Sequence, residues 1–164
     1  MRLFKTSETM KKVFTSLFVL AIALIVGVGL GKAADGEVID VTTISDDEGT
    51  PLSFSLNAED NFGASIADIG DVNGDGIDDI AVGVTGDDDG GGSSRGAVFI
   101  MFMSTDGTVD SFQKISDTQG EFTAILEDND IFGVSVAGIG DLNNDNVPDL
   151  AVSATGDDDG GSNK

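Results

Sequence analysis

Residues 71–82 read DVNGDGIDDIAV, and residues 141–152 repeat this stretch as DLNNDNVPDLAV. Oxygen-bearing side chains stand at positions 1, 3, 5 and 9 of both copies: Asp71, Asn73, Asp75 and Asp79, then Asp141, Asn143, Asp145 and Asp149. Calcium takes about six to eight oxygen ligands in proteins. The spacing therefore predicts two Ca2+ sites, one per copy, with the backbone carbonyl at position 7 (Ile77 or Val147) as a further ligand.

The loops do not follow the helical EF-hand pattern. An EF-hand loop has a bidentate Glu at position 12, where this chain has Val82 or Val152 in an apolar run. Position 6 is Gly76 in the first loop and Asn146 in the second. A sharp turn there favours a left-handed conformation, which Gly adopts freely and Asn tolerates better than most residues. We therefore expect loops between strands, with weaker binding in the second.

The loops belong to a longer internal repeat with a period of 70 to 71 residues. Residues 62–91 and 132–161 are identical at nineteen of thirty positions, and substitutions such as Ile80 to Leu150 keep the apolar pattern. Such repetition indicates stacked or radially arranged units.

Each unit reads as strands separated by polar turns. In the first unit the strands are expected within 62–70, 79–85, 95–103 and 108–117, and a further strand is expected at 37–45. The run 97–103 is apolar without alternation, which predicts a strand covered on both faces. Four antiparallel strands make one propeller blade. The predicted fold class is therefore all-β, a fragment of a β-propeller.

The N-terminal segment has the features of an export signal. Basic residues in 1–12 precede an uncharged, mostly apolar run at 13–31, followed by a small-residue site ending at Ala33. This pattern predicts a signal peptide over 1–33, cleaved after Ala33, and a secreted or cell-surface protein. The apolar run also reaches the minimum length of a membrane span, so an uncleaved anchor is the alternative.

The composition excludes several classes of function. Residues 1–33 hold five of the eight basic residues and one of the thirty acidic residues, so residues 34–164 carry 29 acids against 3 bases, a net charge of −26. Such a chain repels nucleic acid and anionic membranes. The sequence lacks Cys, His, Trp and Tyr. Their absence excludes disulfides, the usual zinc sites and His-based triads, and it predicts a protein that is not an enzyme.

The remaining acidic runs and the phenylalanines are expected to have structural roles. The acidic runs 87–89 and 157–159 are flanked by glycines and read as flexible, solvated hairpin tips rather than second metal sites. Four phenylalanines lack polar neighbours and are expected in the core: Phe62, Phe99, Phe102 and Phe132.

The order of motifs resembles a known family. Phe62-Gly63, the loop from Asp71 to Asp79 and then Arg95-Gly96-Ala97-Val98 are similar to the FG-GAP repeat of integrin α-subunit propellers and of exported bacterial proteins, and Phe132-Gly133 begins a second copy. The resemblance implies a seven-bladed propeller with calcium on one face. It also implies that the strand at 37–45 would close the last blade.

The expected organisation has four segments. Residues 1–33 are the signal peptide, 34–61 an N-terminal closing strand with its linker, 62–117 the first blade, and 118–164 a linker with the first half of a second blade. The resemblance implies an adhesion or protein-interaction module that binds a protein or cell-surface ligand. The alternative is a non-catalytic propeller within a larger secreted hydrolase or lyase.

Overall fold

The computed structural model describes residues 22–24, 42–44 and 54–158. The strands are β1 (Ile22–Leu24), β2 (Thr42–Ile44), β3 (Phe62–Gly70), β4 (Asp79–Val84), β5 (Ala97–Met103), β6 (Val109–Ile115), β7 (Phe132–Gly140) and β8 (Asp149–Ala154), with a 3-10 turn at Asp89–Gly91. They form three antiparallel sheets, β1–β2, β3–β4–β5–β6 and β7–β8. In the described ranges, no helix is long and apolar enough to cross a membrane.

The four-stranded sheet is the blade that the sequence predicts. Its strands pair in chain order as an up-and-down meander, with Val82 opposite Phe99 and Phe99 opposite Lys114. The second unit supplies β7 and β8, which pair with the same register shifts as β3 and β4. The predicted fold class is confirmed: the described residues are all-β, and their sheets are those of a β-propeller fragment.

The central strands of the blade are buried on both faces. Six of the seven residues of β5 are buried, as the unbroken apolar run predicts. Their side chains alternate between two hydrophobic clusters. The first cluster contains Ile44, Phe62, Val82, Val84, Ala97, Phe99, Met101, Met103 and Val109. The second contains Ile69, Ala81, Val98, Ile100, Leu126, Phe132 and Val136.

Aromatic rings fill the first cluster. The Phe54 ring lies 5.4 Å from that of Phe99 and 5.2 Å from that of Phe112, and Phe62 meets Phe99 edge-on at 5.9 Å. Phe62, Phe99 and Phe132 are buried, as predicted, whereas Phe102 is half-buried against the second cluster.

The second cluster joins the two units. Strand β7 of the second unit packs against β3 and β4 of the first. The Ser65 hydroxyl donates to the Gly133 carbonyl at 2.8 Å, and Gly96 forms a parallel bridge with Phe132. The backbones approach so closely that a Cβ atom at Gly83 would lie 2.0 Å from the Gly133 oxygen. Glycine at this position therefore sets the spacing of the units.

The structure describes only some of the residues on which the N-terminal predictions rest. The proposed signal peptide lies outside the described residues except for Ile22–Leu24, which form β1 and pair with β2. Within the strand expected at 37–45, only Thr42–Ile44 are described, and Ile44 is buried in the first cluster. The four segment boundaries stay predictions.

The contact between the units yields a test. We expect Gly83→Ala to lower the free energy of unfolding by about 1–3 kcal/mol, because the added methyl group clashes with the Gly133 carbonyl and the Ser65 hydroxyl. Urea unfolding followed by circular dichroism measures the change. The control is Ser153→Ala, since Ser153 is the second-unit equivalent of Gly83 and already carries a side chain. Equal effects of both substitutions would refute the explanation.

Candidate metal-binding loops

Both predicted loops connect adjacent antiparallel strands. Residues 71–78 join β3 to β4, and residues 141–148 join β7 to β8. The two loops therefore occupy equivalent places in the two units. This is the strand-loop-strand setting that the missing Glu at position 12 predicts.

Asp71 organises the backbone of the first loop. Its Oδ1 accepts hydrogen bonds from the amides of Gly74 (2.7 Å) and Asp75 (3.0 Å), and its Oδ2 accepts one from Gly76 (2.8 Å). These bonds, that from Gly76 above all, hold the pKa of the Asp71 carboxyl below its usual value. The carboxylate therefore stays ionised and keeps the loop tightly curled.

Asn73 and Asp75 continue the same pattern. The Asn73 Nδ2 donates to Asp75 Oδ2 at 2.8 Å, and the Asp75 amide donates to Asn73 Oδ1 at 2.9 Å. The Ile77 amide donates to Asp75 Oδ1 at 2.8 Å. The amide at position 7 therefore lies against the Asp75 carboxylate.

The turn conformations agree with the residues at position 6. Gly76 has φ +88° and Asn146 has φ +69°, so both loops are left-handed there, as predicted. Gly74 and Asn144 at position 4 are also left-handed, with φ +80° and +61°. Asn replaces Gly twice in the second loop and keeps the same backbone path, at a conformational cost that Gly avoids.

Asp79 differs from the other predicted ligands because it is fully buried. Its Oδ2 accepts from the Val72 amide at 3.1 Å, and its Oδ1 accepts from the Met103 amide at 3.0 Å. Asp79 therefore ties the loop to the end of β5. The bond to Met103 spans 24 residues, and no local sequence pattern indicates it.

The second loop repeats most of these bonds. Asp141 accepts from the amides of Asp145 (3.1 Å) and Asn146 (2.9 Å), and Asn143 Nδ2 donates to Asp145 Oδ2 at 3.0 Å. The Val147 amide donates to Asp145 Oδ1 at 2.8 Å, and Asp149 accepts from the Leu142 amide at 2.7 Å. The second loop is more exposed: Leu142 is 69% and Val147 45% accessible.

The donor chemistry of both loops suits calcium, although the acids are engaged with amides. Among the described residues, no group of three or more acidic side chains converges in a way that could hold a metal ion. A carboxylate offers about four acceptor positions, and the amides use three at Asp71. Acceptor capacity therefore remains on oxygen atoms, which calcium prefers.

Comparison with known proteins places the first loop in a known repeat. The FG-GAP repeat model matches residues 62–101, which include β3, the first loop, β4 and the start of β5. Residues 62–101 are an FG-GAP repeat. The match confirms the resemblance drawn from Phe62-Gly63, the loop and Arg95-Gly96-Ala97-Val98. FG-GAP repeats form β-propeller blades, in agreement with the four-stranded sheet.

Similar proteins include integrin α-subunits. The chain is 40% identical to integrin alpha-5 of Xenopus laevis over 113 residues, 68% of this chain and 10% of that protein. It is 34% identical to integrin alpha-X of Mus musculus over 117 residues, 70% of this chain and 9% of that protein. The chain thus spans about a tenth of the length of these relatives.

The acidic run after β4 of the FG-GAP repeat corrects one prediction. Asp87 is buried, and its Oδ2 lies 2.7 Å from the Lys114 ammonium on β6. Asp89 accepts from the hydroxyls of Ser116 and Thr118, each at 2.7 Å. The interpretation of 87–89 as a flexible, solvated tip is therefore wrong for Asp87 and Asp89. Sequence reasoning missed it because Lys114 reaches them across the sheet.

Two effects act on the pKa of the Asp89 carboxyl. Burial raises it, but the hydrogen bonds from Thr118, Ser116 and Gln119 and the charge of Lys114 together lower it well below its usual value. Asp89 therefore remains a carboxylate, and the FG-GAP repeat is tied to the end of β6 through it.

The Lys114 ion pairs provide a test of the blade's stability. We expect Lys114→Gln to reduce the free energy of unfolding by about 3 kcal/mol or more, because the buried Asp87 carboxylate loses its cation. Arg95→Gln is the comparison, since its partners Asp117 and Asp128 are 22% and 57% exposed, and we expect a smaller loss there because exposed ion pairs contribute little. Thermal unfolding of both variants, of Asp87→Asn and of Lys114→Gln/Asp87→Asn measures the coupling between Lys114 and Asp87. A double variant no more stable than Lys114→Gln would contradict this assignment.

Proposed function

We propose that this chain is an exported, calcium-stabilised propeller module for adhesion or protein interaction. The observation that carries the proposal is the pair of equivalent loops, each curled by its first aspartate and built from oxygen donors. The FG-GAP match and the likeness to integrin α-subunits support a propeller module of this class.

In this proposal the calcium ligands come from the side chains at positions 1, 3, 5 and 9 and the carbonyl at position 7. The first site would comprise Asp71, Asn73, Asp75, Ile77 and Asp79, and the second Asp141, Asn143, Asp145, Val147 and Asp149. A bound cation would neutralise clustered carboxylates in a chain of net charge −22. Because an ion would bind the folded loops and not the unfolded chain, its binding free energy would add to the folding free energy.

The N-terminal sequence and the composition support export. The basic N-terminus, the apolar run and the small residues before Ala34 support a signal peptide. An exported chain without Cys has no disulfides to stabilise it, so calcium outside the cell would take that role. The chain would therefore act at the cell surface or in the surrounding medium.

The proposed partner is a protein or a cell-surface ligand. Three features support such a partner: the repeat fold, the similarity to integrin α-subunits, and a negative net charge that repels nucleic acid. The two relatives named above are integrin α-subunits, and neither name is that of an enzyme. This favours a non-catalytic role for the chain.

Calcium titration of the full chain tests the metal sites. Isothermal titration calorimetry should give two sites, and Asp71→Asn or Asp141→Asn should each remove one of them. Saturating calcium at about 100 times the dissociation constant should stabilise the chain by about 2.7 kcal/mol per site, and a chelator should reverse this gain. Asp110→Asn, an exposed change on β6 with the same loss of charge, is the control and should keep both sites. Absence of binding heat together with an unchanged melting temperature would refute calcium binding.

Binding to cell surfaces tests the interaction role. Fluorescently labelled chain should bind intact cells in calcium and be released by a chelator, because without the ion the clustered loop carboxylates are no longer neutralised. The Asp71→Asn/Asp141→Asn variant should bind less, whereas Asp110→Asn should bind like the parent chain. Equal cell binding with and without calcium would contradict a calcium-dependent interaction module.

A further inference from the structure

The sequence contains one Asn-Gly pair, Asn73-Gly74. Both residues are exposed. An asparagine side chain is an electrophile for the backbone nitrogen that follows it, because attack of that nitrogen on Cγ closes a five-membered ring. A side chain on the following residue crowds this attack, and glycine has none. Asn73 is therefore the asparagine of this chain whose neighbour in sequence opposes ring closure least.

The space around Gly74 is open. Its φ is +80°, and a Cβ atom built on it would meet no heavy atom within 4 Å. Its amide nitrogen donates to Asp71 Oδ1 at 2.7 Å. This nitrogen must give up its proton to become a nucleophile, and a base has to lie within hydrogen-bond reach of the proton that it takes. The Asp71 carboxylate meets that condition.

The Asn73 side chain is held at both ends by Asp75. Its Oδ1 accepts from the Asp75 amide at 2.9 Å, and its Nδ2 donates to Asp75 Oδ2 at 2.8 Å. The amide donor faces the oxygen on which negative charge develops when Cγ is attacked, and a donor in that place lowers the barrier. A proton acceptor at Gly74 and a hydrogen-bond donor at Asn73 Oδ1 are therefore both in place for ring closure.

We propose that Asn73 is a self-modifying site, at which the folded loop converts asparagine to aspartate or isoaspartate. The Gly74 nitrogen forms a bond to Asn73 Cγ, the Cγ–Nδ2 bond breaks, and the amide proton leaves with ammonia by way of Asp71. Water then opens the succinimide at either carbonyl, which yields aspartate or isoaspartate at position 73. Water is the co-reactant, and no oxidation or reduction occurs.

The second loop provides an internal comparison. Asn143 makes the same two contacts, with Asp145 Oδ2 at 3.0 Å and with the Asp145 amide at 2.8 Å. The residue that follows it is Asn144, which is left-handed like Gly74, with φ +61°, but carries a side chain beside the attacking nitrogen. We therefore expect Asn143 to persist while Asn73 is converted.

The modification would change the first loop and leave the second as it is. Aspartate adds one negative charge at loop position 3, and isoaspartate also lengthens the main chain between Asp71 and Asp75 by one carbon atom. Any effect on calcium affinity rests on the proposed function, whereas the covalent change does not. The two loops would thus differ increasingly with the age of the protein.

Peptide mapping by mass spectrometry of the full chain, after incubation in neutral, calcium-free buffer, tests the proposal. The peptide with Asn73 should gain the mass of an amide-to-acid conversion, and a protein isoaspartate methyltransferase should label part of it. Asn143 should be converted at least about tenfold more slowly, a difference of about 1.4 kcal/mol in activation free energy. Conversion of both asparagines at one rate, or no conversion of Asn73, would overturn the proposal.

Two exchanges between the loops test the role of the following residue. Gly74→Asn gives the first loop the dipeptide of the second and should slow conversion of Asn73 at least about tenfold, and Asn144→Gly should make Asn143 labile. Asn144 already adopts the left-handed backbone, so Gly74→Asn should keep the fold, which circular dichroism checks. Unchanged rates in both variants would contradict the proposal.

Asp71→Asn tests the proton acceptor. It should slow conversion of Asn73, whereas Asp110→Asn, which removes the same charge from an exposed position on β6, should not. An equal or faster conversion in Asp71→Asn would overturn the assignment of Asp71. Because the buffer holds no calcium, the two proposals fail separately. A chain that converts Asn73 but binds no calcium would refute only the metal sites, and one that binds calcium but keeps Asn73 would refute only the modification.

Discussion

The structure depends on one packing constraint, which is that the central strands of the blade are apolar on both faces. In β5, Phe99 points into the first cluster, whereas Val98 and Ile100 point into the second. A sheet of this kind is stable only when something covers each side, because exposed apolar surface costs about 25 cal/mol per Å2. The aromatic group around Phe54 covers one side and the second unit covers the other. Because the second unit packs so closely against the blade, glycine is required where the two backbones touch.

Buried carboxylates also hold the backbone in place through hydrogen bonds. Asp60 and Asp130 are both buried, at 3% and 4% exposure. Each accepts a bond of 2.7 Å from the amide three residues before it, and their carbonyls accept from Gly86 and Gly156. Burial raises the pKa of Asp60, with Asp87 and Asp88 acting in the same direction. Repeated acids in this chain thus bind backbone amides as well as serving as candidate metal ligands.

The basic side chains in the range 54–158, Arg95 and Lys114, lie where distant segments meet. Lys114 neutralises Asp87 within the blade, and Arg95 joins Asp117 of the blade to Asp128 of the next unit. The backbone reinforces the second junction, since Asn129 and Phe132 donate to the carbonyls of Ser93 and Arg95. Each base therefore offsets acids at a point where distant segments meet. This placement limits the effect of self-repulsion on the contact between the units.

The sequence by itself determined the strands, the repeat and the loop conformation, because these rest on local patterns: apolar runs, a 70-residue period, and Gly or Asn where φ is positive. Asp71 and Gly76 could be assigned their places from spacing alone. Only the tertiary structure decided that Asp79 is buried under the Met103 amide and that Asp87 pairs with Lys114. These outcomes depend on contacts between residues far apart in the chain, and such contacts leave no periodic signal in the sequence.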